Sequence, residues 1–346
     1  MFLLAAVILW FFGRNLDWTQ VSESFRRADP IYLALSVLII CIGYLLRAIR
    51  WQVLLAPITP SSLKELFATT TVGFTAIFLI GRAGEIVRPM WLPMRDPRVR
   101  PSAALVTLGL ERIFDLAAIV CFFAANLIFF NVPPGREEEF DWVATVGVLM
   151  LVGVVAGFIC LIVYQRISAK FIKWAEKATE KRYIPGRIRS IFLSLLRQLA
   201  SALKILEDWR AAVWAIFWTF MLWLAIAIPT WLVLLAFDMP ISFSDSLFIM
   251  GFAAIGSVVP TPGGAAGAFH AATAAGLLFL RPDTPHEDAA AMSLAMHLVY
   301  FAPAIFFGLY YFAHGDINIE RFRSLLSSDN AVEEIESESP NAQESA

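Results

Sequence analysis

Arg82, Glu85, Arg88, Glu111, Arg112 and Asp115 fall within or beside stretches of sequence that are otherwise suited to a membrane interior. Ionisable side chains are expensive there. Each one left unpaired near the bilayer centre costs about 2.5–3.5 kcal/mol, so Glu111, Arg112 and Asp115 together would cost on the order of 8–10 kcal/mol. They must face a protein interior and find partners. Arg112 and Asp115 are spaced to pair on one helical face, whereas Glu111 and Asp115 repel unless a cation lies between them, for which Arg82 or Arg88 is the natural candidate. Gly81-Arg82-Ala83-Gly84-Glu85, followed by Arg88, adds a second kind of chemistry. Glycine permits close backbone approach and the planar fork of arginine matches phosphate oxygens, so the segment suits a phosphate-bearing ligand. The competing reading is a structural knot of ion pairs that ties two helices together.

A second interruption, Pro260-Thr261-Pro262-Gly263-Gly264, divides the apolar residues 247 to 280. The prolines stop the incoming helix and the glycines let the chain turn, so residues 265 to 280 are expected to begin a new helix whose free amides and positive dipole end would welcome an anion. His270 and His297 both lie in apolar helices. Each reads first as a buried histidine bonded to a backbone carbonyl and second as a proton relay. No metal-ligand spacing and no nucleophile with a partnered base is evident, so neither a cofactor nor enzymatic chemistry is expected.

The elements that must position these groups are helices in a membrane. A mean hydropathy of +0.69 with 59% hydrophobic residues lies outside the range of ordinary soluble chains. Full-length apolar segments fall near residues 31 to 55, 102 to 130, 142 to 164, 211 to 237 and 288 to 313, and the shorter run at residues 1 to 12 makes a sixth. That first run lacks a basic start and a cleavage site, so a secretory signal is not expected, and its length of about 18 Å leaves open a start further upstream. The fold expected is an all-α polytopic membrane protein of about six spans plus two broken helical hairpins, at residues 63 to 92 and 247 to 280; eight spans is the alternative. Cys41, Cys121 and Cys160 read as small core hydrophobes.

Charge sets the expected orientation. Residues 165 to 210 carry eleven Lys or Arg against four acidic residues, which places this connection in the cytoplasm. With both hairpins re-entrant and the N-terminus cytoplasmic, 20 of the 27 basic residues lie inside, 5 outside, and Arg82 and Arg112 within the membrane. If residues 63 to 80 span instead, the totals are the same, so charge alone does not choose. Leu195, Leu196, Leu199 and Leu203 recur at helical spacing within an amphipathic stretch that lies on the membrane or against the bundle, and Lys170, Lys173, Lys177 and Lys181 alternate with Phe171 and Trp174, a pattern suited either to anionic headgroups or to a solvated basic loop. A transmembrane domain over residues 1 to 326 is expected, followed by a disordered, acidic, cytoplasmic tail at residues 327 to 346.

Taken in order, Arg47-x-x-Arg50-Trp51, Gly81-Arg82-Ala83-Gly84-Glu85 with Arg88, Glu111-Arg112 with Asp115, and Pro260-Thr261-Pro262-Gly263-Gly264 resemble the membrane region of lysylphosphatidylglycerol synthase, a flippase-like family. The resemblance implies a cell-membrane protein that handles phospholipids or polyprenyl-phosphate-linked lipids. It departs from many relatives at His270, where they carry Glu, and at Ala265-Ala266, which is one residue longer. The acyltransferase domain of the lipid-aminoacylating relatives does not follow residue 326, so lysyl transfer is not expected. Two functions follow as expectations. In a lipid flippase, Arg82, Arg88, Arg112 and the helix end at Gly263-Gly264 would hold the headgroup phosphate, with Glu85, Glu111 and Asp115 as counter-ions or proton carriers. In a non-transporting membrane protein, a lipid-linked intermediate would be presented to a glycosyltransferase or another lipid-modifying enzyme. Nucleic acid is not an expected partner.

Overall fold

The computed structural model describes residues 2–129, 137–180 and 186–315. They form α1 (Phe2–Gly13), α2 (Trp18–Arg27), α3 (Pro30–Leu55), α4 (Leu63–Ile80), a 3₁₀ turn (Gly81–Ile86), α5 (Val87–Arg95), α6 (Pro101–Phe129), α7 (Glu137–Glu180), α8 (Gly186–Ala202), α9 (Trp209–Ala236), α10 (Phe243–Gly256), the short turn α11 (Pro262–Ala265), α12 (Ala268–Leu280) and α13 (His286–Ala313). The expected acidic tail at residues 327 to 346 lies outside the described residues. Local sequence sets the helix starts: Asp17, Asp29 and Asp208 accept backbone N–H groups at the starts of α2, α3 and α9, Pro30 occupies the first turn of α3, and Ser62 caps α4. Ser242 and Asp245 form a reciprocal capping box on α10.

Six stretches among the described residues are long and apolar enough to cross a membrane: Pro30–Leu55, Leu63–Arg95, Phe140–Thr179, Trp209–Ala236, Pro262–Leu280 and His286–Ala313. This is an all-α, multi-pass membrane protein. α6 matches them in length and carries three charged residues, Glu111, Arg112 and Asp115, near its middle, and α1 is too short. α7 runs well past the predicted residues 142 to 164, to Glu180, because the sequence beyond Tyr164 keeps helix-forming residues while turning polar. Its outer face, including Leu149, Val152, Val155 and Ile159, is exposed and suited to lipid. The predicted amphipathic stretch packs against the bundle, with Ala202 and Leu203 buried on Leu110 of α6. Cys121 and Cys160 are exposed on helix surfaces rather than buried in the core, as apolar side chains facing lipid incur no penalty for it.

α3 and α9 pack antiparallel along their lengths: Asp29 N–H donates to Ala236 O at one end, and Gly43 meets Ala225 nearer the middle. Small residues permit this close approach, as is usual where lipid gives helices no hydrophobic reason to associate. Both broken segments double back as helical hairpins. In the first, Gly84 lies against the backbone of Ala76 and Ile77, Arg88 packs over Gly73, and Arg95 pairs with Glu65 near the base. In the second, Gly256 lies against Ala268 and Ala272, Gly276 against Phe252, and Arg281 donates to Pro240 O near the base. The first hairpin starts from the end of α3 and the second from the end of α9, so their bases lie at opposite ends of the α3–α9 pair. The tips meet: a Cβ on Gly81 would stand 2.9 Å from Thr261 O, and Arg82 Nη2 donates to Ser257 O at 2.8 Å.

The chain therefore repeats one unit in inverted orientation, namely a long helix, a hairpin and a second long helix. α3, α4, α5 and α6 form the first copy, and α9, α10, α12 and α13 the second. Each hairpin packs on the closing helix of the other copy, α4 on α13 and α10 on α6. Thr75 Oγ1 donates to Ala304 O at 2.8 Å across the first contact, and Ser244 Oγ donates to Asn126 Oδ1 at 2.7 Å across the second.

Candidate lipid headgroup site

The intramembrane charges form a network linking α3, α5 and α6. Arg88 Nη1 donates to Glu111 Oε2 at 2.8 Å and its Nη2 reaches Glu111 Oε1 and Thr70, while Arg50 Nη1 donates to Asp115 Oδ1 at 2.6 Å. Arg50 Nη2 also stands 3.8 Å from Glu111, and so supplies the cation needed between the two carboxylates. The sequence pointed to Arg82 or Arg88 for that position. Arg88 fills it in part, and Arg50, expected only as part of an Arg-x-x-Arg-Trp motif, fills the rest. Trp51 completes the packing: its ring lies 4.3 Å from the Arg88 guanidinium carbon, and its indole N–H donates to Thr107. Arg50, Arg88 and Glu111 are fully enclosed, so two cations and two carboxylates neutralise one another out of water. Arg112 pairs only loosely with Asp115, at 3.6 Å, and its side chain is 41% exposed.

Arg82, Glu85, Arg88 and Arg112 line one pocket of about 350 Å³ between the first hairpin tip and α6. Arg82 Nη1 donates to Glu85 at 2.7 Å. Leu105 and Ile86, which also line it, are 50% and 65% exposed, so apolar surface flanks the charged interior. Four of the six charged residues that the sequence singled out in Gly81–Arg88 and Glu111–Asp115 are thus brought together, with Arg88 already engaged by Glu111.

Gly263 and Gly264 lie elsewhere. Both adopt left-handed backbone, with φ of 74° and 65°, and Ala265 follows at 66°. Gly264 also admits the Phe301 ring, which a Cβ would meet at 2.5 Å. The helix expected to begin at residue 265 begins instead at Ala268, because the left-handed run carries the chain on to Gly267. The Gly267 N–H donates to His270 Nδ1 at 3.3 Å, and this helix end faces Ile8 and Leu9 of α1 rather than the arginines. His297 Nε2 lies 3.2 Å from Gly264 O, and the two imidazole rings stand 4.7 Å apart, edge to face. Pro260 and Pro262 bound the tip.

A second cavity, of about 190 Å³, lies inside the bundle between the two copies of the repeat. Arg47, Tyr44, Trp223, Ser257, Phe269 and Tyr300 are among its lining residues. Trp223 also donates to Asp115 at 3.3 Å, which connects this cavity to the charge network.

An all-helical, multi-pass architecture with charge networks and broken hairpins inside it is that of a polytopic membrane protein. The chain belongs to the lysylphosphatidylglycerol synthase transmembrane-region family, whose model matches residues 1–308, and this links it to membrane lipid handling. No curated protein and no solved structure matches it.

Proposed function

We propose that this protein moves a phosphate-bearing lipid between membrane leaflets. The observation that carries this reading is the meeting of two inverted hairpins, tip to tip, beside a pocket that holds three arginines and one carboxylate. Inverted repeats joined at broken helices recur in transporters because rocking one copy against the other exposes a central site to each side in turn. In this reading both hairpins are re-entrant, entering from opposite faces, and the N-terminus and the connection at residues 165 to 210 are cytoplasmic. Backbone interrupted at that depth is tolerated because the opposite tip and the pocket surround it.

The pocket fits a headgroup whose acyl chains stay in lipid. Arg82 and Arg112, neither fully enclosed, offer planar forks to phosphate oxygens, while Glu85 holds Arg82 until an anion takes its place. The exposed Leu105 and Ile86 give the chains an apolar edge to rest on. No group transfer is part of the reading.

In proteoliposomes containing fluorescent phosphatidylglycerol, the wild type is expected to equilibrate the lipid between leaflets, and Arg112→Ala or Glu85→Ala to abolish this while leaving membrane insertion intact. Wild-type rates in both variants would remove the pocket from the mechanism. A wild-type protein that binds the lipid without moving it would favour presentation to a lipid-modifying enzyme.

A further inference from the structure

The geometry points to a second anion site, at Arg47 in the central cavity, where the headgroup phosphate rests between the two copies of the repeat. The inference rests on the lipid-handling reading and assigns it a station that the pocket at Arg82 and Arg112 does not include.

Arg47 lies eight residues before the end of α3, about 12 Å into a helix that crosses the membrane. Its guanidinium carbon lies 4.8 Å from the centre of the Phe74 ring, and among the described residues no carboxylate lies within ion-pair distance of it. Its neighbours compensate it only in part. Asp115 attracts it from beyond ion-pair distance, but that carboxylate is already bonded to Arg50 at 2.6 Å, and Glu111 to Arg88 at 2.8 Å, so the two acids each have a closer partner than Arg47. A ring face compensates a cation only in part. A membrane chain that keeps a cation at this depth without a fixed counter-ion is arranged to receive a mobile one.

The cavity around it suits that ligand. Its other polar groups are committed within the protein: Tyr44 donates to Tyr300 O at 2.9 Å, the Tyr300 hydroxyl is bonded to Thr230, and the Ser257 hydroxyl donates to Ala254 O at 2.7 Å. Arg47 is left as the group that can attract an anion. A volume of about 190 Å³ holds on the order of six waters at roughly 30 Å³ each, enough for a phosphate with a small polar head. Its walls come from α3 and α4 of one copy and from α9, α10, α12 and α13, so the site lies where the copies would have to part. Ser257 forms part of its wall, and the Ser257 carbonyl accepts from Arg82 of the outer pocket, so the two anion sites are separated by one hydrogen bond between the hairpin tips.

The ligand class is a lipid whose phosphate oxyanion leaves it with a net negative charge, either the diester of an anionic phospholipid or the monoester of a polyprenyl phosphate. Native mass spectrometry of the delipidated full-length protein in detergent, titrated separately with phosphatidylglycerol, phosphatidylcholine and a polyprenyl phosphate, distinguishes these sources. The wild type is expected to prefer at least one anionic lipid to phosphatidylcholine by about tenfold, Arg47→Gln to lose that preference, and Arg47→Lys to keep most of it. A wild type without the preference, or an Arg47→Gln variant that retains it, overturns the site. A thiol placed by Ser257→Cys reports occupancy with Arg47 untouched: the preferred lipid should slow its alkylation severalfold, and unchanged alkylation would count equally against the proposal. Loss of the preference in Arg112→Gln with retention in Arg47→Gln would place the headgroup in the outer pocket alone, leaving the transport reading standing. Binding at Arg47 by a protein that moves no lipid would leave the site standing and remove transport.

Discussion

At the residue scale, the decisive distinction is between charges that satisfy one another and charges left to meet something else. Arg50, Arg88, Glu111 and Asp115 belong to the first group, and their closure makes them costly to break singly. Glu111→Ala would leave Arg88 without its carboxylate in a dry interior, and is expected to lower stability by about 3–5 kcal/mol, read as a large drop in the detergent melting temperature. Replacing the pair together, Arg88→Met with Glu111→Leu, should recover most of that loss, because apolar groups of similar volume carry no desolvation penalty. An unchanged melting temperature in Glu111→Ala would mean that the pair is not enclosed as described. Much of this group was legible in the sequence, since an acid and a base inside one apolar helix must find partners. The bridging role of Arg50 was not, because it depends on α3 packing on α6, and no spacing within one helix reports a contact between two. For the same reason Arg47 and Arg50 looked alike as letters in one motif, although one is enclosed by partners and the other lines a cavity.

At the element scale, the two hairpins explain why so many apolar residues are interrupted where they are. The breaks at Gly81 and at Pro260–Gly264 were plain from composition, as were the bounds of α3, α6, α9 and α13 to within a few residues, whereas α7 runs on to Glu180, well past the expected end at residue 164. The place where the second new helix begins was not, since three successive left-handed residues delay it to Ala268. Gly84 shows how tightly the first turn is built. A Cβ there would stand 2.4 Å from the backbone of Ala76 and Ile77, atoms that cannot swing aside as a side chain can. Gly84→Ala is therefore expected to destabilise by about 1–3 kcal/mol and to widen the turn, with faster hydrogen exchange at residues 76 to 86 as the measurement. Gly157→Ala on α7, where nothing lies within 4 Å, serves as the comparison and should be neutral or slightly stabilising. Equal effects at the two positions would contradict the close packing of the turn.

At the scale of the whole molecule, the inverted repeat is the feature that the sequence concealed most thoroughly. Its traces are the order of long apolar segment, broken hairpin and long apolar segment, which occurs twice, the aspartate caps on α3 and α9 and the Ser-x-x-acid starts of α4 and α10. Helices facing lipid need only be apolar, and that requirement leaves little residue-level likeness between the copies. If the copies rock about the junction of the tips, tying the tips together should stop the motion. With Cys41, Cys121 and Cys160 replaced by Ala, a cleavable bifunctional thiol reagent joining Ile80→Cys to Val258→Cys, exposed positions beside the tip contact that leave Arg82 in place, is expected to halt lipid movement, and cleavage to restore it. Undiminished movement after crosslinking would show that the tips need not separate. The junction also has an electrical consequence. Where water follows both hairpins inward, the insulating layer shrinks to the thickness of the tip contact, and the transmembrane voltage concentrates across it. An anion passing there would feel most of the voltage over a few ångströms, about 2.3 kcal/mol per charge for each 100 mV, making the membrane potential itself a force on the cargo.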